Sequence, residues 1–174
     1  MKRSSAKLPE RRAKRTVLII GEGFSEVAFL DHLKSLYVAR GSGVAVKVGN
    51  ARGKGPEHVL ESAIRQSNSI AYDVVAALLD TDIPWTDALR SKARKSAIQL
   101  LPSTPCLEGL LLQILDKSAA GASEALKRRL HPLLSGSPTD KTSYQQRYPK
   151  ALLDERRANI ETLDALIGLM QNLD

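Results

Sequence analysis

Residues 17–26 read VLIIGEGFSE, an aliphatic run that ends in two glycines and two glutamates. The run predicts a short buried strand over 16–20, and Ser25 is a residue type that begins helices. From Val27 onward, apolar residues recur at helical spacing. The stretch therefore predicts a strand, a glycine turn and a helix, with Glu22 just beyond the carboxyl end of the strand.

Strand and helix patterns alternate over residues 16–116. After the first pair, apolar strand patterns occur at 44–48, 72–80 and 97–101, and a helical pattern follows each of them. Such alternation is typical of parallel sheets joined by right-handed crossovers. We therefore predict an α/β fold of the Rossmann-like type, a roughly four-stranded parallel sheet with helices on both faces.

Residues 117–174 are predicted to form a helical extension that packs on the same domain. A basic helix over 124–134 is followed by a loop at 135–149 and by an amphipathic helix over 150–173. Pro105 is expected in the first turn of the preceding helix, where no amide hydrogen is needed. With 174 residues and 43% apolar content, the chain has the size of one domain with a real core.

Positive charge is concentrated at the amino terminus. Residues 1–15 hold seven Lys or Arg against one Glu, a net +6 out of the +7 of the whole chain. A basic disordered arm of this kind suits nucleic acid through phosphate contacts, and a solvated tail that only aids solubility is the alternative. Neither an apolar run of about 20 residues nor a signal peptide is apparent, so we expect a cytoplasmic protein that makes no membrane contact.

Three carboxylates are predicted to meet at one edge of the sheet. Glu22 follows the first strand, and Asp80 and Asp82 end the most apolar strand, in ALLDTDIPW. Open α/β sheets bind ligands at the carboxyl ends of their strands. Like charges at close range resist ionising together, so the expected cofactor is a hard divalent cation, Mg²⁺ or Mn²⁺. For both aspartates to bind one ion, the chain must turn at Thr81 and bring the two side chains together.

The glycine pair also allows a cofactor-binding interpretation. A dinucleotide fingerprint reads G-x-G-x-x-G or G-x-G-x-x-A. In this chain Glu26 stands where the fingerprint has its last Gly or Ala, and Glu22 lies between the two glycines. Two carboxylates would therefore face an anionic pyrophosphate. Arg52, after the second strand, suits a ribose phosphate, which keeps an NADP-type cofactor open as an alternative.

The order of these motifs resembles the Toprim domain of topoisomerases, bacterial primases and OLD-family nucleases. That domain combines E-G-x-x-E after one strand with D-x-D after another, as at 22–26 and 80–82 here. GKGPEHVLESAI (53–64) and STPCLEGLLLQIL (103–115) are similar to segments of the RloB-like branch, whose latter motif reads approximately S-N-P-C-F-E-x-W-L-L. The resemblance covers residues 16–116.

The resemblance implies a Mg²⁺-dependent nuclease that cleaves phosphodiester bonds in DNA or RNA, in a phage-defence or restriction-associated context. Glu22 is then the acid near the scissile phosphate, and Asp80 and Asp82 hold the metal ion. Glu26 is a further metal ligand, and Glu108 completes the catalytic set. Glu26 and Glu108 equally suit the first turn of a helix, where the helix dipole favours acids.

Basic residues outside the arm are the predicted nucleic-acid contacts. Arg52 and Lys54 lie in the glycine-rich loop after the second strand, and Lys141, Arg147 and Lys150 lie nearer the carboxyl terminus. Solvated surface cations are the alternative. The chain has no G-x-x-x-x-G-K-[ST] loop, so an ATPase partner of the OLD type would be a separate chain. The alternative function is therefore a non-cleaving metal- and nucleic-acid-binding module that acts with such an ATPase.

The remaining reactive side chains receive no catalytic role. Cys106 is predicted as a small buried side chain, because no histidine lies near it in sequence. His32, His58 and His131 share no metal-ligand spacing. Trp85 is predicted as a packing anchor, with stacking on a nucleic-acid base as the alternative.

Overall fold

A computed structural model describes residues 13–171 of the chain. Four strands form one sheet in which every neighbouring pair is parallel, in the order β2-β1-β3-β4. The strands are β1 (Arg15–Gly21), β2 (Val44–Asn50), β3 (Val74–Asp80) and β4 (Ile98–Ser103). The predicted α/β fold with a four-stranded parallel sheet is confirmed, and it is consistent with a Rossmann-like or Toprim-like architecture.

Seven α-helices accompany the sheet within residues 13–171, and one of the first three lies in each connection between successive strands. They are α1 (Phe24–Tyr37), α2 (Pro56–Ser69), α3 (Asp87–Lys95), α4 (Leu107–Ile114), α5 (Ser123–Leu130), α6 (Lys150–Arg156) and α7 (Glu161–Met170).

Alternate residues of β1 build two separate cores. Val17 and Ile19 pack with buried residues of α1, α4 and the later helices, and Leu18 and Ile20 pack with α2 and α3. Because helices cover both faces, the central strands are apolar throughout instead of alternating with polar residues. The core of Val17 and Ile19 also contains Leu163 of α7, so the C-terminal helices share it with the sheet.

The predicted single helix over 150–173 is wrong, because the chain breaks between α6 and α7. A 3-10 turn spans Arg157–Asn159, and Ile160 has extended backbone with φ −128° and ψ 96°. The Arg157 Nε–H donates to Asp164 Oδ1 across the break (2.6 Å). The change of direction lets the apolar side of α7 reach the core.

The predicted position of Pro105 is also wrong. Helix α4 begins at Leu107 with Cys106 at its N-cap, so Pro105 lies before the first helical turn. Strand β4 runs through Pro102 to Ser103, further than the sequence predicts. A proline is tolerated there because β4 is the edge strand of the sheet and lacks a neighbour on one side.

Most of the predicted basic arm, residues 1–12, lies outside the described residues. Strand β1 begins at Arg15, whose guanidinium donates to the Gln171 carbonyl (3.0 Å). Within residues 13–171, no helix combines the length and the apolar character needed to cross a membrane.

Candidate functional site

The carboxyl ends of β1 and β3 lie side by side, since Gly21 pairs with Leu78 in the parallel register. Glu22 follows β1 and Asp80 ends β3, so both acids stand at the same edge of the sheet. A Cβ on Gly21 would lie 2.7 Å from the Glu26 Cβ. Glycine at this position therefore allows the first turn of α1, with Glu26, to approach the end of β1.

Five acids influence one another at this edge, and we call them the acidic cluster: Glu22, Glu26, Asp80, Asp82 and Glu108. Burial raises the pKa of Asp80, and the negative charges of the other four raise it further, to about 8. Burial also raises the pKa of Glu22, with Asp82 as the next cause, and raises that of Glu26. The structure thus brings together all five predicted acids.

The turn that the two aspartates require is present at Thr81. The Thr81 N–H and the Asp82 N–H both donate to the Pro105 carbonyl, each at 2.9 Å. The Ser123 hydroxyl donates to Asp82 Oδ2 (2.7 Å). The chain leaves the sheet at Asp80, and these contacts hold Asp82 at the same edge.

Two members of the acidic cluster also satisfy backbone groups at helix N-termini. Asp80 Oδ1 accepts from the Leu107 N–H at the start of α4 (3.1 Å), and Glu26 Oε2 accepts from the Gly23 N–H before α1 (2.9 Å). Unpaired N–H groups at a helix start favour negative charge. These contacts orient the two carboxylates, and they give each of them a structural role that needs no ligand.

The glycine-rich loop after β2 is hydrogen-bonded to Glu22. The Gly53 N–H donates to the Glu22 carbonyl (2.7 Å). The backbone of Gly55 offsets part of the effect of burial on the pKa of Glu22. The four residues from Arg52 to Gly55 have φ between 63° and 83°, a region that side chains other than glycine rarely adopt. Arg52 and Lys54 are exposed on this loop, next to Glu22.

The other three predicted nucleic-acid contacts lie on different elements. Lys150 pairs with Asp154 Oδ2 (2.6 Å) and stands over the ring of Tyr37, 4.8 Å from its centroid. Tyr37 ends the 14-residue helix α1, whose start adjoins the acidic cluster, and a helix of that length spans about 20 Å. Arg147 donates to a backbone carbonyl (3.1 Å), and Lys141 is exposed at the start of a 3-10 turn. The structure does not bring Lys150 to the acidic cluster.

Helix α5 and the residue that follows it supply side chains that no sequence motif marked. Ser123 and Lys127 lie one turn apart on α5, and His131 follows four residues later, directly after the helix, so the three share one side of this segment. Ser123 is the residue that holds the Asp82 carboxylate, and His131 Nε2 lies 3.9 Å from Glu108 Oε1. The spacing was a usable signal, but only packing shows that this face is turned toward the acidic cluster.

Lys127 brings a positive charge to the acidic cluster. Its charge lowers the pKa of Glu22 and so offsets part of the increase that burial causes. Its own pKa is raised, first by the hydrogen bond to Glu124 and also by the charge of Glu108. The Lys127 Nζ lies 3.1 Å from Glu124 Oε1, and the side chain is partly exposed. It is therefore placed to meet an anionic ligand at this edge.

Cys106 and Trp85 both pack as the sequence predicts. Cys106 is buried, and burial raises its pKa to about 11, so the thiol stays protonated near neutral pH. The Trp85 Nε1–H donates to the Asp80 carbonyl (2.9 Å), and the Arg90 guanidinium stands 5.1 Å from its ring centroid. Trp85 thereby anchors the loop that follows β3.

The chemistry of the acidic cluster fits a hard divalent cation. Carboxylate oxygens are the ligands that Mg²⁺ prefers. The Ser103 hydroxyl, opposite Asp80 in the strand register, is wholly buried and has no hydrogen-bond partner among the described residues. Across residues 13–171, no group of three or more His, Cys, Asp or Glu side chains is arranged to hold a metal ion as it stands. Binding an ion at the acidic cluster therefore requires side-chain rearrangement.

The N-terminus of α1 is less suited to a dinucleotide. In dinucleotide-binding proteins the pyrophosphate lies against the backbone N–H groups at this helix start. Here the Glu26 carboxylate already accepts from the Gly23 N–H (2.9 Å). A pyrophosphate would have to displace a carboxylate and meet the charge of Glu22.

A groove of about 420 Å³ between α2 and α3 is remote from this chemistry. Its lining includes the exposed ion pair between Glu61 and Lys92 (3.1 Å) and contains no member of the acidic cluster. We therefore place the candidate site at the sheet edge, where the perturbed carboxylates lie, and not in the groove.

No protein-family model matches this chain, and no curated protein or solved structure shows significant similarity to it.

Proposed function

We propose that this protein is a divalent-metal-dependent nuclease of the Toprim type, which cleaves phosphodiester bonds in DNA or RNA. The observation that carries the proposal is the acidic cluster, with carboxylates from β3, α1, α4 and two loops. Burial, together with the charges of the other four acids, raises the pKa of Asp80 to about 8. The resemblance of the motifs to the RloB-like branch supports a role in phage defence or restriction.

Mg²⁺ or Mn²⁺ would be held by Asp80, Asp82 and Glu22, with Glu26 as a further ligand. When bound, the ion neutralises the carboxylates and stabilises negative charge on phosphate oxygens. The Ser123 hydroxyl donates to Asp82 Oδ2 (2.7 Å) and so restricts the positions that this carboxylate adopts.

The chain's own side chains have distinct roles in this proposal. Glu22, whose pKa burial raises, suits proton transfer from the attacking water. Lys127 is better placed than Lys150 to stabilise the charge that develops on the phosphate, because its charge acts on Glu22 and Glu108. Arg52, on the loop bonded to Glu22, suits contacts with the phosphate backbone.

The proposal is tested with the double variant Asp80→Asn and Asp82→Asn. Fluorescent single-stranded and duplex oligonucleotides of DNA and RNA are incubated with Mg²⁺ or Mn²⁺, and cleavage is followed by electrophoresis. We expect the wild type to cleave and the double variant to lose at least about 100-fold in rate, a typical loss when transition-state charge stabilisation is removed.

Asp116→Asn is the matched control for this experiment. Asp116 is exposed, pairs with Arg156 (3.6 Å), and has a φ of 59° that asparagine tolerates. The control should cleave at the wild-type rate. Cleavage by the double variant at that same rate contradicts the proposal.

A second candidate function is a metal- and nucleic-acid-binding module that does not cleave by itself and acts with a separate ATPase. It is favoured by the structural roles of Asp80 and Glu26 as acceptors for helix N-termini, which account for two acids without catalysis. This function predicts that the wild type binds oligonucleotides in the same assay without cleaving them, and that cleavage appears only when the partner ATPase is added.

A further inference from the structure

An exposed aromatic ring adjoins the acidic cluster. Phe24 is 64% exposed and lies two residues after Glu22 and two before Glu26. Ile83, 54% exposed, directly follows Asp82. Single exposed apolar residues are common on protein surfaces, but these two stand beside the carboxylates of the candidate site.

The fold does not account for an aromatic side chain at position 24. Phe24 is the first residue of α1, and the buried face of that helix begins at Ala28 and Phe29. The contact between Glu26 and the Gly23 N–H uses only backbone and a carboxylate, so it does not need a ring at this position. The close approach of α1 to β1 depends on Gly21.

Positive charge also lies near Glu22. Arg52 and Lys54 are exposed on the loop whose Gly53 N–H donates to the Glu22 carbonyl (2.7 Å). Glu22 is therefore flanked by an exposed ring in its own segment and by two cations in the segment bonded to it. A ligand that satisfies both features has a flat apolar face joined to a phosphate, as a nucleotide has.

Single-stranded nucleic acid offers this combination, but a duplex does not. In a duplex, neighbouring base pairs cover the faces of each base, and a protein ring reaches a face only after a base is flipped out. In a single strand the faces are accessible, and proteins bind it by combining aromatic stacking with basic residues along the backbone.

We infer that this edge of the sheet binds single-stranded nucleic acid, with one base stacked on Phe24 and the adjoining backbone held by Arg52 and Lys54. Ile83 provides a second apolar contact beyond Asp82. The inference rests on the proposed function and narrows its substrate to single strands or unpaired ends.

The test measures binding by fluorescence anisotropy, with Ca²⁺ in place of Mg²⁺ so that cleavage does not interfere. Labelled single-stranded oligonucleotides and the matching duplex are titrated with the full-length wild type and with variants Phe24→Ala, Phe24→Trp and Ile70→Ala. Ile70 is the control because it is also exposed (55%) but follows α2, away from the carboxyl ends of the strands.

We expect the wild type to prefer the single strand. Phe24→Ala should weaken that binding by about 5- to 100-fold, the effect of removing one stacking ring. Phe24→Trp should retain it, and Ile70→Ala should match the wild type. Melting temperatures of all variants should be similar, because both positions are exposed.

Equal affinity of Phe24→Ala and wild type for the single strand overturns the inference, and so does a preference for duplex. Either result, combined with cleavage that depends on Asp80 and Asp82, leaves the nuclease proposal standing. Conversely, single-strand binding that depends on Phe24, without any cleavage in Mg²⁺ or Mn²⁺, supports the inference and contradicts the nuclease.

Discussion

Replacing Asp80 by Asn is expected to stabilise the metal-free protein at pH 8. The amide has nearly the same shape and keeps an Oδ1 that accepts from the Leu107 N–H, at 3.1 Å in the wild type. The substitution therefore preserves the contact with α4 and removes one negative charge from the acidic cluster.

The size of the effect follows from the pKa of Asp80. Burial and the neighbouring carboxylates raise it from 3.8 to about 8. At about 1.4 kcal/mol for each pKa unit, ionising Asp80 at pH 8 costs the folded state on the order of 5 kcal/mol. Because the side chain is partly exposed, water screens part of this cost, and we expect roughly 2–3 kcal/mol. For a chain of this size, that gain raises the melting temperature by about 5–10 °C.

The sign of the pH dependence is set by proton binding. The carboxyl of Asp80 has a higher pKa in the folded state than in the unfolded chain, so the folded state binds more protons between pH 3.8 and about 8. The free energy of unfolding contributed by Asp80 therefore falls as the pH rises through this window. The advantage of Asp80→Asn should be largest at pH 8 and disappear near pH 3.8.

The assay is thermal unfolding in EDTA at several pH values across this window, repeated with excess Mn²⁺. A ligand that binds only the folded state stabilises it, so Mn²⁺ should raise the melting temperature of the wild type more than that of Asp80→Asn. Asp116→Asn should follow the wild type throughout. If Asp80→Asn is no more stable than the wild type at pH 8 in EDTA, the argument from buried, mutually repelling carboxylates is refuted.

Two further substitutions test the packing of the domain. Gly109→Ala should lower the free energy of unfolding by about 1–3 kcal/mol, since the added Cβ would lie 2.5 Å from the Thr104 carbonyl oxygen. Urea unfolding measures this free energy. Gln113→Ala, an exposed change on the same helix, should lower it less. Equal decreases for the two variants would contradict the predicted clash. His32 donates from Nε2 to the Tyr148 carbonyl (2.8 Å), and burial lowers its pKa from 6.5. Because the unfolded chain then binds this proton more readily than the folded state, the wild type should lose stability as the pH falls through 6.5. His32→Gln should lack this contribution, and a stability difference from wild type that is independent of pH would refute it.

Local patterns predicted the α/β architecture well because parallel strands buried on both faces are recognisable from their own residues. The strand ending at Asp80 and the helix that begins after Gly23 were both found in this way. The break at Arg157–Asn159 was missed, because α6 and α7 have compatible helical patterns and only their packing against the core separates them.

Glu22, Asp80 and Asp82 were predictable because sheet geometry places residues from different strand ends together. The position of Lys127 was not. Lys127 lies far from the motifs in sequence and reaches the acidic cluster only through the packing of α5 beside α4. Lys150, by contrast, contacts Asp154 and Tyr37 at the far end of α1.

The sequence by itself determined the succession of strands and helices along residues 16–116 and the carboxylates at the ends of β1 and β3, because both depend on the spacing of neighbouring residues. Only the tertiary structure decided which side chains surround those carboxylates. That outcome depends on how helices distant in sequence pack against the sheet, through contacts such as the one between Ser123 and Asp82, which no local pattern specifies.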